Sequence, residues 1–175
     1  LGLVADIEQG AGMLLAGCDV LLIGAGGAAA GVLGPLLARA PRRIAVCNRT
    51  AARAEELVAR HLEIAELSKT ELLALDQQAL ETDFDLIINA TSSSLSGGPV
   101  PVPASVLRPG ALAYDMMYGP PAQGFLDWAT RHGAVARDGL GMLVEQAAQS
   151  FLLWRGVRPP SGQVLAELRA LLAST

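Results

Sequence analysis

The sequence predicts an α/β domain built on a mostly parallel sheet with helices on both faces, and three observations support this. Strand-length apolar runs alternate with stretches of helical spacing along the chain. A small-residue segment, Gly24-Ala25-Gly26-Gly27-Ala28-Ala29-Ala30-Gly31, joins the first run to the first helix. The 175 residues are 51% hydrophobic and only 17% charged, with mean hydropathy +0.39, which supplies a core and excludes a disordered chain.

The elements follow in order. Asp19–Ile23 (DVLLI), bounded by Gly17 and Gly24, predicts a buried strand. Gly31–Ala38 has helical spacing through Val32, Leu33, Leu36 and Leu37, with Pro35 tolerable only in the first turns. Arg43–Cys47 predicts the second strand. Thr50 suits the N-cap of a helix over Ala51–His61, whose Glu55 and Glu56 precede Arg60 in the order the helix dipole favours. Glu63–Leu67 is a candidate third strand, Thr70–Leu80 a helix or loop, and Asp85–Asn89 a buried strand. Glycine and proline make Gly97–Pro103 a loop. Ala111–Asp115 predicts a strand, Gly124–His132 a helix, Ala134–Ala136 a short strand and Leu140–Trp154 a long apolar helix. After Pro159 and Pro160, Gln163–Ala173 predicts a last amphipathic helix.

Composition excludes several classes. A net charge of −4, a pI near 5.1 and 4% aromatics argue against a nucleic-acid partner. Cys18, Cys47, His61 and His132 match no disulfide framework and no metal spacing. No apolar run approaches the roughly 18 residues of a membrane helix, and the first residues lack a basic leader, so no membrane partner is expected and a cytoplasmic location is. The chain opens on Leu1-Gly2 without a methionine, as a piece cut from a longer protein would.

The glycine segment has the placement of a dinucleotide loop, between a strand and a helix. Gly24 permits a tight turn, Gly26 lets backbone approach a pyrophosphate, and small residues over Gly27–Ala30 let the helix pack close to the strand. Free N–H groups at the helix start would face the phosphates. An ordinary glycine-rich turn is the plain alternative. At the end of the second strand an NAD site usually has a carboxylate for the ribose 2′-OH. Here Asn48-Arg49-Thr50 stands there, with Arg53 one helical turn later. Guanidinium groups grip phosphate, so NADP is favoured over NAD; the alternative is that Arg49 and Arg53 are solvated surface charges.

With GAGGAAAG followed by NRT, the sequence resembles the shikimate dehydrogenases. Asn89-Ala90-Thr91-Ser92-Ser93, Tyr114-Asp115-Met116-Met117-Tyr118 and Asp138-Gly139-Leu140-Gly141-Met142-Leu143-Val144-Glu145-Gln146 strengthen the resemblance in order and spacing. It implies a Rossmann-like, doubly wound domain and the reversible NADP-dependent reduction of 3-dehydroshikimate to shikimate in aromatic amino-acid biosynthesis. It further implies that Gly24, Ala25, Gly26, Gly27 and Ala28 hold the pyrophosphate. Asn48, Arg49, Thr50 and Arg53 would clasp the adenosine ribose and its 2′-phosphate. Thr91, Met116 and Gly139 would stand at the nicotinamide end, and Tyr118 and Gln146 would reach the substrate. Read as single residues, Asn89 and Thr91 also suit a strand-to-loop cap, Met116 core filler, Tyr118 a half-buried loop and Gln146 a surface position; Asp115 reads as structural. The chain departs from the family in one place: Gln123-Gly124 stands before Phe125, where a Thr-Pro step is usual.

The resemblance covers the carboxyl-terminal two thirds or so of the family chain. It implies that the family's catalytic lysine, and the aspartate of an Asn-Thr-Asp-Gly stretch, precede Leu1. The sole lysine, Lys69, lies in a polar segment, so the chain is expected to bind NADP(H) without turning over shikimate and to contribute no catalytic residue of its own. Residues 1–139 are then the cofactor domain. Residues 140–175 are a helical segment expected to pack on the missing part, exposing Leu140, Leu143, Phe151, Leu152 and Trp154, with self-association as a consequence. Two other readings stand beside this one. One is a different NADP oxidoreductase, of quinate/shikimate or methylene-tetrahydrofolate type; the other is a non-catalytic NADP-binding module.

Overall fold

Six parallel strands form the sheet of the computed structural model: β1 (Asp19–Ile23), β2 (Arg43–Cys47), β3 (Glu71–Leu75), β4 (Phe84–Asn89), β5 (Leu107–Asp115) and β6 (Val135–Arg137), in the order β3-β2-β1-β4-β5-β6. This is the Rossmann-like doubly wound order, whose direction reverses between β1 and β4. The structure describes all residues except 79, 81, 82, 94–97, 174 and 175, together with the side chain of residue 173. All five β1 residues are buried, as a central strand covered on both faces requires.

The sheet belongs to a compact unit spanning Leu15–Asp138, while Leu1–Leu14 joins Gly139–Thr175 in a second. The sequence boundary at residue 139 ran the first domain from Leu1; the contacts gather the first fourteen residues with the carboxyl-terminal helices instead.

In the sheet unit, helices α2 (Gly27–Leu37), α3 (Ala51–Ala59), α4 (Leu62–Ser68) and α5 (Gln123–Arg131) follow their strands. One face of the core gathers Leu21, Ile23, Ala45, Phe84, Ile87 and Phe125. Three expectations change. α2 begins at Gly27, four residues ahead of its apolar spacing, so Pro35 falls in its last turn rather than its first. The helix stops at Leu37, two residues after the proline. Glu63–Leu67 is helix rather than strand, burying Ala65 and exposing Ile64 and Leu67. Edge strand β3 occupies Glu71–Leu75, paired in register with Arg43–Cys47, where a helix or loop was expected. Of the loop expected over Gly97–Pro103, Gly97 lies outside the described residues.

The amino-terminal ends of the strands carry a charge cluster. Asp19, fully buried, pairs with Arg42, with Arg43 at 3.0 Å and with Arg108 at 3.4 Å. Asp85 accepts the Asp19 backbone N–H at 2.8 Å and pairs with Arg108. The Arg43 guanidinium also lies 4.9 Å from the centre of the Phe84 ring.

The other unit is helical. α1 (Gly2–Ala5) continues through wider turns over Asp6–Gly10 and packs on α6 (Leu140–Arg155), while α7 (Ser161–Ala173) packs on α6 in turn. Close approach of α1 and α6 is why two glycines stand there. A Cβ on Gly2 would collide with Gln146 and the Met142 carbonyl, and one on Gly141 with the Asp6 carboxylate. Leu140 is buried and Leu152 half-buried, against the expectation of an exposed apolar patch at those residues, whereas Leu143, Phe151 and Trp154 are exposed, and Leu153 with them. No helix among the described residues is long and apolar enough to cross a membrane.

Candidate functional site

Carboxyl ends of parallel strands put turns and helix starts on one edge of the sheet, and the strand-order reversal opens a crevice between them. A cleft of about 820 Å³ lies on that edge in the sheet unit. Gly24, Ala25, Gly26, Gly27 and Ala28 from the β1 turn line it. Asn48, Arg49, Thr50 and Arg53 from the end of β2 and the start of α3 line it as well, with Thr91 from the end of β4.

Each segment is placed by its own chemistry. Gly24 has φ +108°, which side chains rarely adopt, and a Cβ there would stand 3.0 Å from the Ala90 carbonyl oxygen and 3.1 Å from Thr91 Cγ2. The turn therefore touches the β4 loop directly. Gly26 is the N-cap of α2, and a Cβ on it meets nothing within 4 Å. That space belongs to the cleft. The first N–H groups of α2 have no helical carbonyl to bond and carry the positive end of the helix dipole.

At the end of β2, Asn48 Nδ2 donates to the Thr50 carbonyl at 3.0 Å, turning the chain into α3. Thr50 is the N-cap, but its side chain makes no capping bond, so the helix-start N–H groups are not consumed by it. Arg49 and Arg53 are exposed, and among the described residues neither makes an ion pair. The contrast with the paired arginines at the opposite ends of the strands is sharp. Beneath this edge, burial pushes the Cys47 thiol up to about 12.

On the β4–β5 side, Asn89 and Asp115 are buried and hydrogen-bonded to each other at 3.1 Å. Asn89 Oδ1 accepts from the Thr91 N–H at 3.2 Å and the Thr91 hydroxyl at 2.7 Å. Asp115 Oδ1 accepts from the Met117 N–H at 2.8 Å.

The predicted residues do not all converge. Met116 is not in the lining, where its neighbour Met117 stands instead, and Tyr118 is an exposed loop residue outside the lining. Gly139 and Gln146 belong to the helical unit, as the N-cap of α6 and a residue on it. The lining also contains Gln77, Ser92, Pro99 and Pro101, which were not singled out. Gln77 Nε2 donates to the Pro101 carbonyl at 2.8 Å, and Asp76 accepts the Gln78 N–H at 2.9 Å. Asp76, a turn former inside a segment read as helix or loop, is the available signal. Lys69 is exposed at the end of α4, outside the lining. Among the described residues, no group of three or more His, Cys, Asp or Glu could hold a metal ion.

The model of the shikimate/quinate 5-dehydrogenases matches residues 7–96, more than half of the 175. The chain belongs to this family. The model of the shikimate 5′-dehydrogenase C-terminal domain matches residues 139–169. Among relatives, the NADP(+) shikimate dehydrogenase of Acidovorax sp. (strain JS42) is 78% identical over 174 residues, 99% of this chain and 62% of the relative. The crystal structure of an Ael1 enzyme from Pseudomonas putida superposes with TM-score 0.84 at 43% identity, covering 95% of this chain and 60% of that one. The shikimate 5-dehydrogenase of Listeria monocytogenes, solved with shikimate and NAD, superposes with TM-score 0.80 at 25% identity, over 95% of this chain and 61% of the other. The chain thus spans less than two thirds of the length of each of these proteins.

Proposed function

We propose that the cleft binds NADP(H) and that the chain is the cofactor-binding part of an enzyme interconverting 3-dehydroshikimate and shikimate. The observation that carries this reading is the pair Arg49 and Arg53, unpaired beside the end of β2, where an NAD site would present a carboxylate. The residues present fit the group: a side-chain-free cradle at Gly26 and Gly27 opens into the cleft at a helix start, and two guanidiniums flank it.

In this reading Gly24–Ala28 hold the pyrophosphate by backbone N–H groups. Arg49 and Arg53 neutralise the 2′-phosphate, with Asn48 and Thr50 shaping the turn that presents them. Thr91, Met116 and Gly139 serve the nicotinamide end, while Tyr118 and Gln146 serve the substrate. The bound cofactor supplies a hydride to the substrate carbonyl. Reducing a ketone also needs a proton donor, and among the described residues the heteroatom-bearing side chains that line the cleft are amides, hydroxyls, guanidiniums and a thioether. We therefore assign the donor to the part of the relatives' length that this chain does not match. Alone, the chain binds cofactor and leaves shikimate unchanged. The exposed apolar residues of α6 serve either that further part or a second copy of the chain. The same reading assigns the protein to the cytoplasm.

Calorimetric titration tests the assignment. The parent chain should bind NADPH more tightly than NADH. Arg49→Ala and Arg53→Ala should each weaken NADPH by roughly tenfold, the low end for a charge-assisted hydrogen bond because both side chains are exposed, and leave NADH unchanged. Equal weakening of both cofactors, or of neither, removes the 2′-phosphate assignment.

A further inference from the structure

Asp115 is fully buried and lines no part of the cleft, yet it is bonded towards two segments that do. Its Oδ1 accepts from the Met117 N–H and its Oδ2 from Asn89 Nδ2. The direction of the second bond is fixed independently. The backbone N–H of Thr91 can only donate, so the Asn89 atom it meets is the oxygen. The other end of that amide is then the NH₂, and Asp115 must accept.

The same logic runs outward. The Thr91 hydroxyl gives its one proton to Asn89 Oδ1 at 2.7 Å and accepts from Ser93, whose N–H lies at 3.2 Å and whose hydroxyl lies at 2.5 Å. The hydroxyl is committed inward, while the Thr91 methyl rests against Gly24 of the phosphate turn. The Asn89 carbonyl accepts the Met116 N–H at 3.0 Å and closes the ring of bonds between the two strand ends.

We infer that Asp115 is a positioning residue for the nicotinamide half of the cleft, acting through the directed amide of Asn89 to fix Thr91 and through its second oxygen to fix Met117. This rests on the cofactor reading above. Adenosine sits over the β2 side of such a crevice and the second nucleotide over the β4 side, so the carboxylate governs one half of the ligand and not the other.

The test uses NADPH and adenosine 2′,5′-bisphosphate, which carries only the adenosine half. Asp115→Asn puts an NH₂ against either the Met117 N–H or the Asn89 NH₂. It should weaken NADPH about tenfold or more while changing bisphosphate affinity less than about twofold. Asn89→Asp alone sets two carboxylates face to face and should do the same. The exchanged pair, Asn89→Asp with Asp115→Asn, restores the donor–acceptor matches between residue 115, residue 89, Thr91 and Met117, and should bring NADPH binding back to within about threefold of the parent. If Asp115→Asn does not fold, Thr91→Val should show the selective NADPH loss and Thr91→Ser should retain binding. A selective loss rescued by exchange, or by Thr91→Ser, supports the inference. Equal loss of both ligands, no loss, or a folded exchanged pair without rescue overturns it. A parent chain that binds neither ligand removes the cofactor reading, and this inference with it.

Discussion

Gly24 and Gly26 stand two residues apart in one turn, and alanine at each should fail in opposite ways. At Gly24 the φ of +108° costs an L-residue about 1–3 kcal/mol. The added Cβ would stand 3.0 Å from a backbone carbonyl and 3.1 Å from the Thr91 methyl, a crowding of about 1–3 kcal/mol more. Gly24→Ala should therefore lose about 2–6 kcal/mol. For a chain of this size that is roughly 4–24 °C in Tm.

At Gly26 φ is −90° and the new methyl meets nothing within 4 Å, so only the poorer N-cap counts, about 1 kcal/mol or less. Binding should suffer instead. In the proposed cofactor reading the methyl would occupy the place of a phosphate, and displacing even one charge-assisted N–H bond costs about 1.5–3 kcal/mol, or roughly 10- to 150-fold in affinity. Thermal unfolding and NADPH titration of the two variants decide the matter. A Gly24→Ala chain as stable as the parent, or a Gly26→Ala chain that binds NADPH as tightly, refutes the reading of the turn.

Two further outcomes follow from burial. Asp19→Asn removes the buried charge that Arg42, Arg43 and Arg108 share; urea unfolding should show a loss of about 2–4 kcal/mol, below the usual cost for a buried pair because Arg42 is largely exposed, while NADPH affinity at the far edge of the sheet stays the same. The raised Cys47 thiol keeps its proton up to about 12, whereas the unfolded chain releases it near 9.0. Stability should then be complete below pH 9 and fall by about 1.4 kcal/mol per unit between the two values, a slope missing from Cys47→Ala in alkaline unfolding titrations.

The chemistry-bearing edge was largely legible because it depends on local signals. The glycine turn, the Asn48-Arg49-Thr50 end of β2 and the apolar runs of β1, β2 and β4 are each written in consecutive residues, and the structure places them where their spacing implies. What failed was decided by the rest of the chain. Glu71–Leu75 (ELLAL) consists of good helix formers, yet β2 offers an unpaired edge and the backbone pairs with it. Glu63–Leu67 has the apolar content of a strand, but forms a helix that turns Leu67 outward. The union of Leu1–Leu14 with the carboxyl-terminal helices depends on two glycines far apart in sequence, Gly2 and Gly141, which no local pattern connects.

The distribution of arginines gives the sheet its polarity. At the amino-terminal ends of the strands, Arg42, Arg43 and Arg108 are matched with Asp19, Asp83 and Asp85. The guanidinium beside Asp83 holds that carboxyl below its ordinary range. Charges matched in this way cancel at a distance and leave little field for a ligand. At the carboxyl-terminal edge, Arg49 and Arg53 have no such partner among the described residues, and the α2 dipole points its positive end the same way. A chain with net charge −4 thus keeps a local positive field at one edge while Arg42, Arg43 and Arg108 are paired at the other. An anion with several phosphates is the guest such a field favours, and in the proposed cofactor reading the two unpaired guanidiniums, rather than the glycine turn alone, would distinguish a phosphorylated ribose from a plain one.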